Sequence, residues 1–425
     1  VLNHASAQGN WFQAFIQEES PYRNFFVAVK GDPDLSNVVR PRITPLLTEV
    51  QTQSGSRKVW TTFGPDQVDL DYQNPEVLLE MIDIILFYIR QGARYLRLDA
   101  IAYLWKEIGT PCIHLPQTHT VIQLLRAILK NIAPDVKIIT ETNVPHHENI
   151  SYFGDGTNEA HLVYNFALPP LVLHTLLTGD ATVLAEWAGN LELPSQETTF
   201  FNFLASHDGI GLNPVRGILD TVEIQRLVQQ TLNHGGLISY KTLEDGSQSP
   251  YELNISYFDA VSKPNTDEPI SLQVSRFMAA YAIMLSLKGI PAIYFHSIVG
   301  SRSWSAGPQK TGQNRSINRE KLERNLLSSA LMNSDSIRAK VYNQFHHLLT
   351  QYRNSPAFHP YGNQKIIRTG KGIFGVLRSS HNREHSMLCL QNVTGENQNY
   401  LDVPLEPYET VWIDHPNTSL LTMQN

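Results

Sequence analysis

Apolar residues recur at helical spacing where Val77, Leu78, Met81, Ile82, Ile85, Leu86 and Ile89 follow Pro75, and Gly92 supplies a stop. A short strand is predicted next, over 93–99. Residues 120–132 form another helical stretch ending before Pro134, and 136–141 form a second strand. The alternation continues with a strand over 162–166, a helix starting over 170–177 and a strand over 199–206. A long helix over 271–287 and a buried strand over 291–295 complete it. Apolar strands alternating with helices predict a parallel α/β fold, a class to which the TIM barrel belongs. Past a helix over 339–352 the texture changes. Short strands over 365–368, 372–378, 386–391 and 408–413, broken by Gly and Asn, predict a C-terminal antiparallel β-domain.

Two stretches lack periodicity. Residues 5–75, rich in Pro, Asn, Gln and Ser, read as a loop-rich insertion, and 231–269 as a second one. The expected layout is a barrel over 1–354 and a β-domain over 355–425. The opening Val1-Leu2-Asn3-His4 reads as the inside of a strand, so further chain is expected before it.

Composition narrows the function classes. The 425 residues are 42% hydrophobic and 17% charged, an ordinary globular balance. A formal charge of −7 without a dense basic run argues against nucleic acid as a partner, though clustered arginines could still hold a small anion. The apolar stretch over 277–287 is about half of the ~20 residues a membrane span needs, so no membrane partner is expected. Cys112 and Cys389, far apart in sequence, form no disulfide framework or zinc site, and a reduced, cytoplasmic setting is expected. His146-His147 and His346-His347 lack a ligand constellation.

Three acidic residues stand at predicted strand ends, where a barrel carries its chemistry: Asp99, Glu141 and Asp208. Side chains alternate along a strand, so Arg97 and Asp99 share a face, and the arginine keeps Asp99 ionised as a nucleophile requires. Glu141 ends an apolar strand, where partial desolvation suits a general acid. Two carboxyls flanking one glycosidic bond are the minimum for retaining glycosyl transfer, and a third can stabilise positive charge on the sugar.

The ordered set Asn3-His4, Arg94 to Ala100, Ile138 to Asn143 and Ala205 to Gly209 resembles the four motifs of the α-amylase superfamily. The resemblance implies nucleophile, acid/base and stabiliser roles for Asp99, Glu141 and Asp208, with His4, Arg97 and His207 contacting the glucosyl unit. It also implies a (β/α)8 TIM barrel whose first strands are missing here, since Asn3-His4 would close the third, with a loop-rich B domain after that strand and a β C-terminal domain. No metal or organic cofactor is required.

Further stretches resemble the sucrose phosphorylase branch: Arg40-Pro41-Arg42, Trp60 to Phe63 with Gln67-Val68-Asp69, Asp99 to Tyr103 with Lys106-Glu107, and Asn314-Arg315-x-Ile317-Asn318-Arg319. There phosphate, not water, attacks the glucosyl-enzyme. Arg42 and Arg315 match the phosphate positions, and guanidinium suits bidentate phosphate binding. Phe63 and Tyr103 match aromatic positions that pack the sugar. Residues 109–119 and 245–254 look most similar to glucosylglycerate phosphorylases, which implies substrate-binding parts for Tyr251 and Glu252, with Glu252 toward the acceptor. Where the sucrose enzymes carry glutamine this chain has Glu252, which fits beside an anion if it bonds the acceptor hydroxyls or pairs with an arginine.

The expected partners are therefore an α-glucoside, with glucosylglycerate preferred, and inorganic phosphate. The alternatives are sucrose, sucrose 6-phosphate or glucosylglycerol phosphorylases, an α-glucosidase, and a non-catalytic amylase-like binding protein. The resemblance also allows a homodimer.

Overall fold

The computed structural model describes residues 3–243 and 246–421, so Val1-Leu2 and Asp245 of the motifs above lie outside the described residues. Two compact units divide the chain: Val1–Tyr164 with Tyr240–Tyr251, and Asn165–Ser239 with Glu252–Asn425.

In the first unit the strands Tyr95–Leu98, Lys137–Thr140 and Leu162–Tyr164 run parallel, in register Leu98↔Thr140 and Thr140↔Val163. The helix Pro75–Arg90 precedes them, with Pro at its start and the Asn74 side chain accepting from the Glu76 N–H. It buries Val77, Met81 and Ile85, one stripe at four-residue spacing. The helix Pro116–Ile132 buries Val121, Ile122, Leu125 and Leu129 in the same way. Within the loop-rich 5–75 stretch a helix forms over Asn10–Ile16, and Ala28–Val29, Gly55–Trp60 and Leu47–Thr52 form an antiparallel sheet. Half-buried Thr48 and Thr52 in that hairpin stand where apolar residues would have marked the alternation. His4–Ser6 pairs antiparallel with Gln67–Asp69, in register His4↔Asp69.

His161, just before the third parallel strand, is buried and accepts the Ile138 N–H on Nδ1 at 3.0 Å. That bond needs an unprotonated nitrogen. Burial, then Arg126 and Lys137, pushes its pKa down from the ordinary histidine value near 6.5 to about 3. Because the folded value lies below the unfolded one, the stabilisation is complete above about pH 6.5 and is lost as pH falls toward the folded value. Between pH 7 and pH 5 this one group is expected to remove about 2 kcal/mol of stability. Urea midpoints at the two pH values measure it. A His161→Gln variant should show a flatter dependence, and an unchanged slope would reject the assignment.

In the second unit Thr199–Asn202 and Ile290–Pro291 pair in parallel, Phe201↔Ile290. Helix Leu168–Thr178 is buried from its start to Leu176, and Ile270–Ser286 from Phe277 to its end. No helix among the described residues is long and apolar enough to cross a membrane. The expected buried strand over 291–295 is corrected: pairing ends at Pro291, a short helix Phe295–Ile298 begins, and Phe295 is 52% exposed. An apolar run alone does not separate a strand from a turn into a helix. The 199–206 strand likewise stops at Asn202.

The strands Asn363–Ile367, Ile373–Ser379, Ser386–Asn392 and Thr410–Asp414 form an antiparallel sheet in that order. A hairpin of Gln398–Tyr400 and Val403–Leu405, absent from the sequence expectation, accompanies it.

Candidate active site

The parallel strands of the first unit deliver Asp99 and Glu141 one residue beyond their ends. Arg97 binds both. Its Nη1 donates to Asp99, its Nη2 stands 3.8 Å from Glu141 Oε2, and its Nε donates to the Tyr164 hydroxyl at 3.1 Å. The guanidinium also lies 5.4 Å from the Tyr164 ring centre. Burial works against the charged guanidinium, but Glu141, Tyr164 and Asp99 outweigh it and hold the pKa above the ordinary arginine value. Arg97 is therefore a fixed cation shared by two carboxylates.

Ala100 sits in the left-handed region at φ 51°, rare for a residue with a side chain. This turn aims its N–H at Glu141 Oε2, 3.0 Å away. Backbone strain of this kind collects at functional sites. The Glu141 side chain is 14% exposed and that of Asp99 25%, so both are sheltered yet reachable.

Behind them lies a buried ion pair. Lys106 Nζ meets Asp69 Oδ2 at 2.6 Å and the Asn3 Oδ1 at 2.9 Å. Asp69 also accepts from Asn3 at 3.2 Å and from the Thr62 hydroxyl at 2.6 Å. Buried charges persist only when paired and hydrogen-bonded in this way. The network fixes Asn3 and hence His4. His4 takes a 2.7 Å contact from the Gln67 amide and packs on Phe63, ring centres 5.5 Å apart. Burial is the largest influence on His4 and lowers its pKa, so the ring is neutral at pH 7. Phe63 meets Tyr103 edge-on at 5.4 Å. Arg42 lies 5.8 Å from the Phe63 ring centre and 5.2 Å from that of Tyr251. One unit thus brings together His4, Arg42, Phe63, Arg97, Asp99, Tyr103, Glu141 and Tyr251.

The second unit holds His207, Asp208, Glu252 and Arg315. Arg315 Nη1 reaches Asp208 Oδ1 at 2.6 Å, and Arg319 Nη2 reaches the same oxygen at 3.1 Å. Glu252, 1% exposed, binds Arg315 through both oxygens at 3.0 and 2.8 Å. Of the two arrangements open to Glu252 from sequence, this is the arginine pair. The His207 side chain is 56% exposed, and its carbonyl accepts from Arg319 Nε at 2.6 Å.

Four residues with clear parts in these networks went unassigned from sequence: Asp69, Lys106, Tyr164 and Arg319. Asp69, Lys106 and Arg319 lie inside the stretches that carried the family resemblance, which was the available signal. Tyr164 had none. Cys112, buried, gives its Sγ to the Glu107 carbonyl at 3.3 Å and takes a packing role.

A family model described as the α-amylase catalytic domain matches residues 1–208. The chain is 51% identical over 394 residues to the glucosylglycerate phosphorylase of Spirochaeta thermophila, covering 93% of this chain and 66% of that protein. It is 48% identical over 425 residues to the glucosylglycerate phosphorylase of Allomeiothermus silvanus, covering 97% and 76%. The crystal structure of sucrose 6F-phosphate phosphorylase from Thermoanaerobacter thermosaccharolyticum superposes with a TM-score of 0.80 at 21% identity, covering 98% of this chain and 81% of that one. The fold is accordingly the (β/α)8 barrel type with a C-terminal β-domain.

Proposed function

The chain belongs to the α-amylase family, and from that premise we propose that it is a retaining glycoside phosphorylase acting on an α-glucoside, with glucosylglycerate preferred. It would convert the glucoside and inorganic phosphate into α-glucose 1-phosphate and glycerate. The observation that carries the retaining chemistry is Arg97, one cation shared by Asp99 and Glu141.

In the first step an Asp99 oxygen attacks the anomeric carbon, and the bond from that carbon to the glycerate oxygen breaks. Glu141 gives its proton to that oxygen, leaving a β-glucosyl ester on Asp99. Esterification removes the Asp99 charge, so the Arg97 cation then acts chiefly on Glu141 and favours its carboxylate form. That is the form the second step needs. A phosphate oxygen attacks the same carbon, Glu141 takes the phosphate proton, and the ester bond to Asp99 breaks. Two inversions give net retention. In this reading Asp208 stabilises positive charge on the sugar, and His4, Arg97 and His207 hold the glucosyl unit. Phe63, Tyr103 and Tyr251 line its path, and Arg42 and Arg315 receive phosphate and the acceptor carboxylate. A catalytic part over 1–354, a β-domain over 355–425, a cytoplasmic setting and a homodimer complete the proposal.

The test incubates the protein with α-glucosylglycerate, with and without phosphate. Glucose 1-phosphate is expected only in the presence of phosphate. Free glucose at one rate in both mixtures would reject the phosphorylase and leave an α-glucosidase. Phosphate-dependent turnover of sucrose alone would keep the mechanism and replace the acceptor.

A further inference from the structure

Glu252 is a buried acid beside the arginine to which anion binding has just been assigned. Its place is set by backbone register, Gly211↔Glu252, between two short antiparallel strand segments. Gly209 follows Asp208 directly, and a Cβ there would stand 2.6 Å from Cγ of Glu252 and 2.5 Å from the Leu253 carbonyl. The close approach of Glu252 and the glycine after Asp208 are thus one feature. Arg315 spans the two acids, with Nε and Nη2 on Glu252 and Nη1 on Asp208. Arg319 adds a second cation on Asp208. Two guanidinium groups therefore face two carboxylates, and exposure rises from Glu252 at 1% through Asp208 at 20% and Arg315 at 27% to Arg319 at 36%.

We infer that Glu252 is a positioning and specificity-determining residue that acts through Arg315: it fixes the guanidinium plane from the buried side and balances its charge. The inference rests on the phosphorylase reading above. A bidentate carboxylate pair defines the plane of a guanidinium in a way a single contact does not. Glu252 cannot release Arg315 without leaving an uncompensated buried charge. When an anion reaches Arg315, the contact that yields is therefore the one to Asp208, which is partly exposed. With Glu252 in place, Arg315 gives up Asp208 while keeping a full carboxylate partner. With a neutral residue at 252 the guanidinium plane would be held by Asp208 alone, and an incoming anion would have to displace the one carboxylate that orients it.

The test compares the unaltered protein with Glu252→Gln, Arg315→Ala and the double variant, using Arg315→Lys where the alanine form does not fold. One readout is the rise in melting temperature on adding inorganic phosphate. The other is kinetic: KM for phosphate, KM for glucosylglycerate, kcat, and the ratio of glucose 1-phosphate to glucose. Glu252→Gln is expected to raise the phosphate KM by about tenfold, with a smaller change in kcat and a larger share of glucose. In the Arg315 background the same substitution should move phosphate KM by less than about twofold, because one residue acts through the other. Multiplying effects in the double variant would overturn the inference. So would a Glu252→Gln change confined to the glucosylglycerate KM, or a melting temperature of the unaltered protein that ignores phosphate. If phosphate stabilises the protein through both residues while no glucose 1-phosphate forms, the phosphorylase reading fails and the specificity role with it, while the positioning of Arg315 by Glu252 is upheld.

Discussion

Asp99→Asn is expected to lower turnover by about 10⁴-fold or more, the order seen when a covalent nucleophile is removed. The substitution keeps the shape of the side chain and leaves Arg97 its contacts with Tyr164 and Glu141. What disappears is the charge that attacks the anomeric carbon. The Asp99 side chain is a quarter exposed and sits at a strand end, so the melting temperature should change little. A variant with activity within about tenfold of the unaltered protein would rule out Asp99 as nucleophile. Azide separates the two carboxylates further. With Asp99→Ala, azide can attack from the vacated side in one inversion, giving the β-glucosyl azide. With Glu141→Ala, azide attacks the glucosyl-enzyme and gives the α-anomer. The anomer recovered therefore assigns each role independently of rate.

Arg378→Met is expected to give the largest loss of stability, on the order of 3 kcal/mol or more. Arg378 has no exposed surface and donates to three backbone carbonyls: Asn363 at 3.2 Å, Ser286 at 3.2 Å and His359 at 2.9 Å. Ser286 ends the long buried helix, so the cation also meets the negative end of its dipole. Burial lowers the pKa to about 10, which leaves the group charged at neutral pH. Methionine fills much of the same volume but withdraws the donor from the buried Ser286 carbonyl and from the part-buried carbonyls of Asn363 and His359. Arg378→Lys should recover only part of the loss, since an ammonium cannot span three carbonyls lying around a planar fork. The urea midpoint measures both variants. A midpoint unchanged in Arg378→Met would mean that water reaches those carbonyls and that the arginine is dispensable.

Much of the site was legible because it depends on local pattern. Strands of four residues that stop just before Asp99 and Glu141, and the apolar stripes of the helices Pro75–Arg90 and Pro116–Ile132, follow from periodicity and from proline and glycine punctuation, although the second helix starts four residues ahead of the expected 120. The placing of Arg97 beside Asp99 follows from the two-residue period of a strand, and the structure joins them. Errors fell where a short apolar run carried no period, as at 291–295. They fell also where polar residues occupied half-buried strand positions, as at Leu47–Thr52.

The sequence by itself therefore determined the alternation of elements, the apolar faces of the helices, and the order of acids and arginines along the chain. Each of these is fixed by neighbours within a few residues. Only the tertiary structure decided which charges meet. Lys106 finds Asp69, Arg315 finds Glu252, and His161 accepts from Ile138. Those pairings are set by strand register, by a glycine that lets two strands approach, and by burial. Burial makes an unpaired charge too costly to keep, but it does not name the partner. The partner is chosen by which backbone brings it within reach.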